Sequence, residues 1–144
     1  RGQGEKDTGQ YDKQTPVDYL SGAAMLIKAS VIKHIGLFDE RFFLYYEDVD
    51  FCLRAKKAGF LSVFVPDAHI YHTFGASAKI GSPLHNYYNT RNHYLFVEKH
   101  ATILVKLREI ARTPKTIWEF LKQKDGDSLA GIKAYYLRRF GKRI

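Results

Sequence analysis

A chain of 144 residues, 45% apolar and 15% aromatic with only four prolines, amounts to one ordinary domain and can bury a core, which excludes a disordered segment. The formal net charge is +8; acids and bases cancel through residue 98, and the whole excess falls in 99–144. Any pull on a polyanion therefore belongs to the last third of the chain.

Residues 1–16 are polar and Gly-rich and read as a flexible start. Residues 17–27 (VDYLSGAAMLI) are apolar and strand-compatible, interrupted by Gly22, where another backbone or a ligand can approach. Residues 29–35 suit a short helix stopped by Gly36. An irregular aromatic run, 37–46, leads into a helix over 47–58, with acids in its first turn, bases in its last and Gly59 as its stop. Residues 60–65 read as a strand ending at Pro66, and 68–74 as a second short strand. From Pro83 onward the pattern predicts helices over about 83–111, 114–123 and 127–140. No apolar run reaches the roughly 18 residues that cross a bilayer. The single cysteine, Cys52, excludes an intrachain disulfide framework and fits a reducing, cytoplasmic compartment.

Five acids gather in FDERFFLYYEDVDFCLRAKKAGF. Asp50, Arg54 and Lys57 share one helical face, which an ion-pair stripe explains. Cys52 belongs to another face and reads as a small core residue. Glu47 and Asp48 begin the helix beside the rings of Phe42, Phe43, Tyr45 and Tyr46. A carboxylate so placed can take a proton in a partly desolvated pocket, or can serve only as a partner of the helix dipole. His69 and His72, three apart in an extended stretch, do not share a face, which argues against a joint zinc site. Either could be a single metal ligand, a phosphate contact or a structural histidine.

The order SGAAMLI, GLFDERFFLYYEDVDFCLRAKKAGF, VPDAHIYHTFGAS and YYNTRNHYLFVEKH resembles the second half of family 2 glycosyltransferases, rhamnosyltransferase- and galactofuranosyltransferase-like, over about residues 17–100. The resemblance implies an α/β fold, the acceptor-side half of a GT-A-type domain over 17–82, followed by a basic helical extension over 83–144. It implies Asp48 as catalytic base, Glu47 as the acid that shapes the acceptor site, Gly22 as a strand position near bound substrates, and His72 as a ligand of Mg²⁺ or Mn²⁺. Tyr45 and Tyr46 would form a wall of the acceptor site. Arg91 and Asn92 match a recurrent pair in the following helix, with no role implied. The partners implied are a nucleotide-sugar donor and a glycan or lipid-linked acceptor.

The family's nucleotide-binding half ends in an Asp-x-Asp type metal motif, and nothing upstream of Val17 corresponds to it. Asp48-Val49-Asp50 has the letters but belongs to the later helix. The chain begins at Arg1, and the expectation is that the donor half lies outside it, leaving the isolated chain inactive. The segment 128–144 (SLAGIKAYYLRRFGKRI) mixes apolar, aromatic and basic residues as an interfacial helix at the inner, anionic face of a cell membrane would, or as a helix packed on the domain with solvated cations would. The alternative function is a non-catalytic polyanion-binding module built on the basic C-terminal helices. For nucleic acid, the sequence offers no zinc-finger, helix-turn-helix or RNA-binding signature.

Overall fold

A computed structural model describes residues 4–71 and 79–143. The chain divides into two compact units, Arg1–Phe38 with Asp48–His72, and Asp39–Glu47 with Thr73–Ile144.

In the first unit, β1 (Thr15–Val17) pairs antiparallel with β2 (Ser62–Phe64), Pro16 opposite Val63. Helices α1 (Ala29–Ile35) and α2 (Glu47–Lys57, its first residue counted with the second unit) occur where the sequence predicts them. The strand expected over 17–27 does not form. It stops at Val17, and the chain from 18 to 22 runs along one face of α2 instead. Asp18 pairs with Lys56 Nζ at 2.9 Å, Leu20 N–H meets Cys52 Sγ at 3.4 Å, and Gly22 N–H donates to Asp48 Oδ2 at 2.9 Å. Positions 48, 52 and 56 recur every four residues and so lie on one helical face. Backbone donors that a sheet partner would have taken are met by side chains. The strand expected over 68–74 is also absent from 68–71, which follow a turn at Pro66–Asp67; the remainder lies outside the described residues.

The adjoining side of α2 carries the core of this unit, with Phe51, Cys52 and Ala55 buried and the Phe38 ring stacked on Phe51 at 4.7 Å. Asp50 is fully buried and receives Arg54 Nε at 2.9 Å. The same guanidinium donates to the carbonyls of Ile35 and Leu37, each at 2.8 Å, so it also satisfies the end of α1. The predicted ion pair is present, and it is a buried bracket rather than a surface stripe.

The second unit is helical: α3 (Pro83–His100), α4 (Ile103–Gln123) and α5 (Gly126–Tyr136). Ser82 caps α3 by accepting from His85 N–H, with Pro83 in the first turn, where its missing N–H costs nothing. The expected long helix 83–111 is two helices, because Ala101 and Thr102 are both extended. Conversely Pro114, read as the start of a new helix, sits inside α4. The proline removes one hydrogen bond, and Thr113 Oγ1 donates to Glu109 O at 2.9 Å one turn back. Helix α5 ends at Tyr136, short of the expected 140. Leu137 then caps it, and Arg138 takes φ +57°.

Helix α5 packs on α3 at Gly131, with Ile132 and Ala134 buried and its one cation, Lys133, exposed, which is the packed alternative for 128–136. At Gly131 the two helices nearly touch. A Cβ there would fall 2.5 Å from Tyr87 O and 3.1 Å from Arg91 N, both backbone atoms. Gly131→Ala gains about 1 kcal/mol of helix propensity but forces α5 outward, an overpacking cost of about 1–3 kcal/mol or more. We expect a net loss of stability in urea unfolding, whereas the same substitution at exposed Gly126, where nothing lies within 4 Å, should not destabilise.

Candidate functional site

The Glu47–Asp48 pair stands where the chain passes from one unit to the other, and each side can be built from its own residues. On the first-unit side, half-buried Asp48 lies in the first turn of α2. Its Oδ1 accepts from Val49 N–H at 2.8 Å and its Oδ2 from Gly22 N–H at 2.9 Å. Two amide hydrogens, one on each oxygen, fix the carboxylate plane while leaving lone pairs on both oxygens. Gly22 and Asp48 are therefore brought together, and Gly22 lies in a turn, not on the strand that the resemblance implies. A Cβ on Gly22 would meet Asp48 Cβ at 3.5 Å, an ordinary contact, so neither packing nor φ demands glycine there.

On the second-unit side, residues 42–46 form a strained loop. Phe43, Tyr45 and Tyr46 take φ of 62°, 68° and 72°, the left-handed region that side chains avoid. Leu44 N–H closes a tight turn on Phe42 O at 2.8 Å. The loop keeps this shape because two buried neighbours on α3 grip its carbonyls. Arg91 Nη2 donates to Arg41 O (2.9 Å) and Phe42 O (2.8 Å), and Nη1 to Gly141 O at 2.7 Å. Asn92 Nδ2 lies 2.8, 2.7 and 2.9 Å from the carbonyls of Phe42, Leu44 and Tyr45, and its Oδ1 accepts from Arg91 Nε. Both side chains are fully buried. Each left-handed residue costs about 1–2 kcal/mol and each hydrogen bond returns about 1 kcal/mol, so the donors of Arg91 and Asn92 offset much of the loop's strain. A second brace comes from Asp39, which joins Arg41 at 2.7 Å and Lys99 at 2.6 Å. The Arg41 guanidinium, helped by Lys99, holds the Asp39 carboxyl well below the usual carboxylate range.

The grip presents Tyr45 and Tyr46 in fixed poses. The Tyr45 ring meets His85 edge-on at 5.2 Å, and Tyr46 packs on Phe96 at 5.4 Å. Burial, and secondarily the Glu47 carboxylate, raises the Tyr45 phenol; burial alone raises that of Tyr46. Both hydroxyls therefore stay protonated and can donate at neutral pH. Tyr46 also borders a cavity of about 220 Å³ with Tyr94, Arg112 and the His93–Glu109 pair, whose Nε2···Oε1 distance is 3.0 Å. A ring edge beside such donors and acceptors is a surface that can bind a hydroxyl-rich ligand. Nothing local in the sequence marks His93, because its partner lies 16 residues away on another helix.

His72 lies outside the described residues. Among the described residues, no group of three or more His, Cys, Asp or Glu could hold a metal ion.

The Asp48 carboxylate is thus held at a helix start, and the ring-rich loop that precedes it is held by hydrogen bonds from α3. Residues 2–89 match the family described as "Glycosyltransferase like family 2", and the chain belongs to that family. It is 38% identical over 89 residues to the N-acetylglucosaminyl-diphospho-decaprenol L-rhamnosyltransferase of Mycobacterium tuberculosis, covering 61% of this chain and 29% of that protein. It is 28% identical over 144 residues to the dTDP-rhamnosyl transferase RfbF of Shigella flexneri, covering 87% of this chain and 48% of the relative. With the rhamnosyltransferase WbbL of Escherichia coli it shares 40% identity over 58 residues, which is 40% of this chain and 22% of that one. The chain thus spans less than half the length of these relatives. No solved structure matches it.

Removing the Asn92 amide takes its donor from the carbonyls of Phe42, Leu44 and Tyr45. Asn92→Ala should cost about 2–4 kcal/mol in chemical unfolding, the penalty for acceptors left without donors inside a protein. Exposed Asn89→Ala, one turn earlier, should stay within about 0.5 kcal/mol of wild type.

Proposed function

We propose that this chain is the acceptor-side part of an inverting glycosyltransferase, which moves a sugar from a nucleotide-diphospho-sugar to a hydroxyl of a glycan or lipid-linked glycan. The observation that carries the proposal is the Asp48 carboxylate, oriented by the amides of Gly22 and Val49 at a helix start. In the reaction, an Asp48 oxygen removes the proton of the acceptor hydroxyl. The hydroxyl oxygen forms its bond to the anomeric carbon as the bond to the diphosphate oxygen breaks, and the nucleoside diphosphate departs. A single displacement inverts the configuration at that carbon. Gly22, free of any backbone demand for glycine, leaves space beside the base. Tyr45 and Tyr46 supply ring faces and hydroxyl donors to the acceptor, with Glu47 shaping the same wall.

A divalent Mg²⁺ or Mn²⁺ ion belongs to this proposal by family resemblance. When bound, it would neutralise the charge of the departing diphosphate, with His72 as one ligand. Rhamnose is the sugar to test first, because relatives carry rhamnosyl names.

The experiment uses the intact gene product with dTDP-rhamnose and an N-acetylglucosaminyl-diphospho-lipid acceptor. General-base assistance contributes ~10²–10⁴-fold in rate, so Asp48→Asn should lower kcat by at least about 10²-fold with little change in donor KM. Near-normal turnover in Asp48→Asn would overturn Asp48 as the base.

A further inference from the structure

Helix α4 is amphipathic, but it is turned the wrong way for a helix held only by its own domain. Its polar side packs on α3. Glu109 meets His93 at 3.0 Å, and Thr113, the one buried residue of the helix, lies 3.3 Å from the Tyr94 hydroxyl through its own Oγ1. Its apolar side faces solvent. Ile103, Leu104, Leu107, Ile110, Trp118 and Leu121 are each more than half exposed, and their spacing of three, four and seven residues places them on one face with Pro114. Exposed apolar residues scattered singly mean nothing, but a continuous stripe along a 21-residue helix marks a surface that is covered in use.

The flank of the stripe says what covers it. Arg108, Lys115 and Lys122 follow one edge, with Glu119 the sole acid among them, and Lys122 Nζ lies 4.3 Å over the Trp118 ring. A second copy of this helix would bring like charges together along the seam. An anionic lipid surface offers an apolar layer to the stripe and negative headgroups to its basic edge, and Trp with Lys is at home at that depth. No helix among the described residues, α4 included, is long and apolar enough to cross a membrane.

We infer that α4 is an interfacial helix, which docks this protein on an anionic membrane through the Ile103–Leu121 stripe with its basic flank on the headgroups. The inference does not rest on the transferase reading, since docking requires no turnover.

The chain's single tryptophan sits on the stripe and reports directly. Vesicles of phosphatidylcholine with phosphatidylglycerol should shift Trp118 emission to the blue and bring the protein down on sedimentation, and lipids brominated near the headgroup should quench it. Phosphatidylcholine alone should bind at least about tenfold more weakly, given roughly 1 kcal/mol for each basic residue near the surface. Leu107→Glu with Ile110→Glu replaces two solvent-exposed side chains and should lower partitioning at least about tenfold. Leu104→Gln with Leu121→Gln is a milder pair should the first fail to fold. Binding that survives both pairs means diffuse charge attraction and overturns the docking face. Equal binding to neutral vesicles overturns the anionic partner. No vesicle binding, with a concentration-dependent dimer that the same substitutions abolish, assigns the face to a second copy and also overturns the inference.

Discussion

Arg91 and Asn92 together donate to the carbonyls of Arg41, Phe42, Leu44 and Tyr45, and much of the second unit follows from that grip. A loop with three left-handed aromatic residues does not hold its shape by itself. Phe42 O alone receives the Leu44 amide, the Arg91 guanidinium and the Asn92 amide. The planar fork of arginine is well matched to such a grip. One guanidinium reaches the loop and the Gly141 carbonyl at once while its face lies 4.8 Å from the Tyr88 ring centre. Burial lowers its proton affinity, yet arginine stays charged at any physiological pH, so the grip does not loosen on titration. Tyr45, Tyr46 and Glu47 thus take their directions from α3, although the chain reaches α3 only some forty residues later.

The first unit meets the same requirement by another route. A stretch that leaves its sheet after Val17 still carries amide hydrogens that need acceptors. Leu20 and Gly22 find them on Cys52 and Asp48, one helical turn apart, and Asp18 reaches Lys56 one turn further. The carboxylate read as the catalytic base is therefore also a structural acceptor. That dual use favours a fixed orientation at the start of a helix, where the dipole favours its charge.

Much of this was legible in the sequence where local rules decide. Helices α1 and α2 follow from apolar period, charge order and the glycines at 36 and 59. What was not legible needed partners distant along the chain. An apolar run such as 17–27 looks the same whether its amides will meet a strand or helix side chains, and in this fold they meet the latter. Pro114 reads as a boundary, but one lost hydrogen bond is tolerated inside a 21-residue helix. The extended pair Ala101–Thr102 has no strong local breaker. The left-handed angles at Phe43, Tyr45 and Tyr46 run against their own residue types, and only the buried donors of α3 make them tolerable. The stripe on α4 has a helical period visible in sequence, yet which side faces the protein emerges only from burial.

The family match ends at residue 89, two residues before Arg91. Yet the loop 39–47, well inside the match, belongs physically to the unit that continues through α5. Its carbonyls are held by residues 91 and 92, Arg91 also holds the carbonyl of Gly141, and Gly141 N–H in turn donates to Arg41 O at 3.0 Å. Close approach at Gly131 then fixes α5 against the turn of α3 that carries Arg91. A deletion of the helices would therefore not simply trim an appendage. It would remove every donor that Arg91 and Asn92 give the loop, leaving its left-handed residues with strain and nothing to offset it. The helical segment is part of what shapes the loop 42–46, and its contribution is made through backbone carbonyls, which leave little trace in a comparison of side chains.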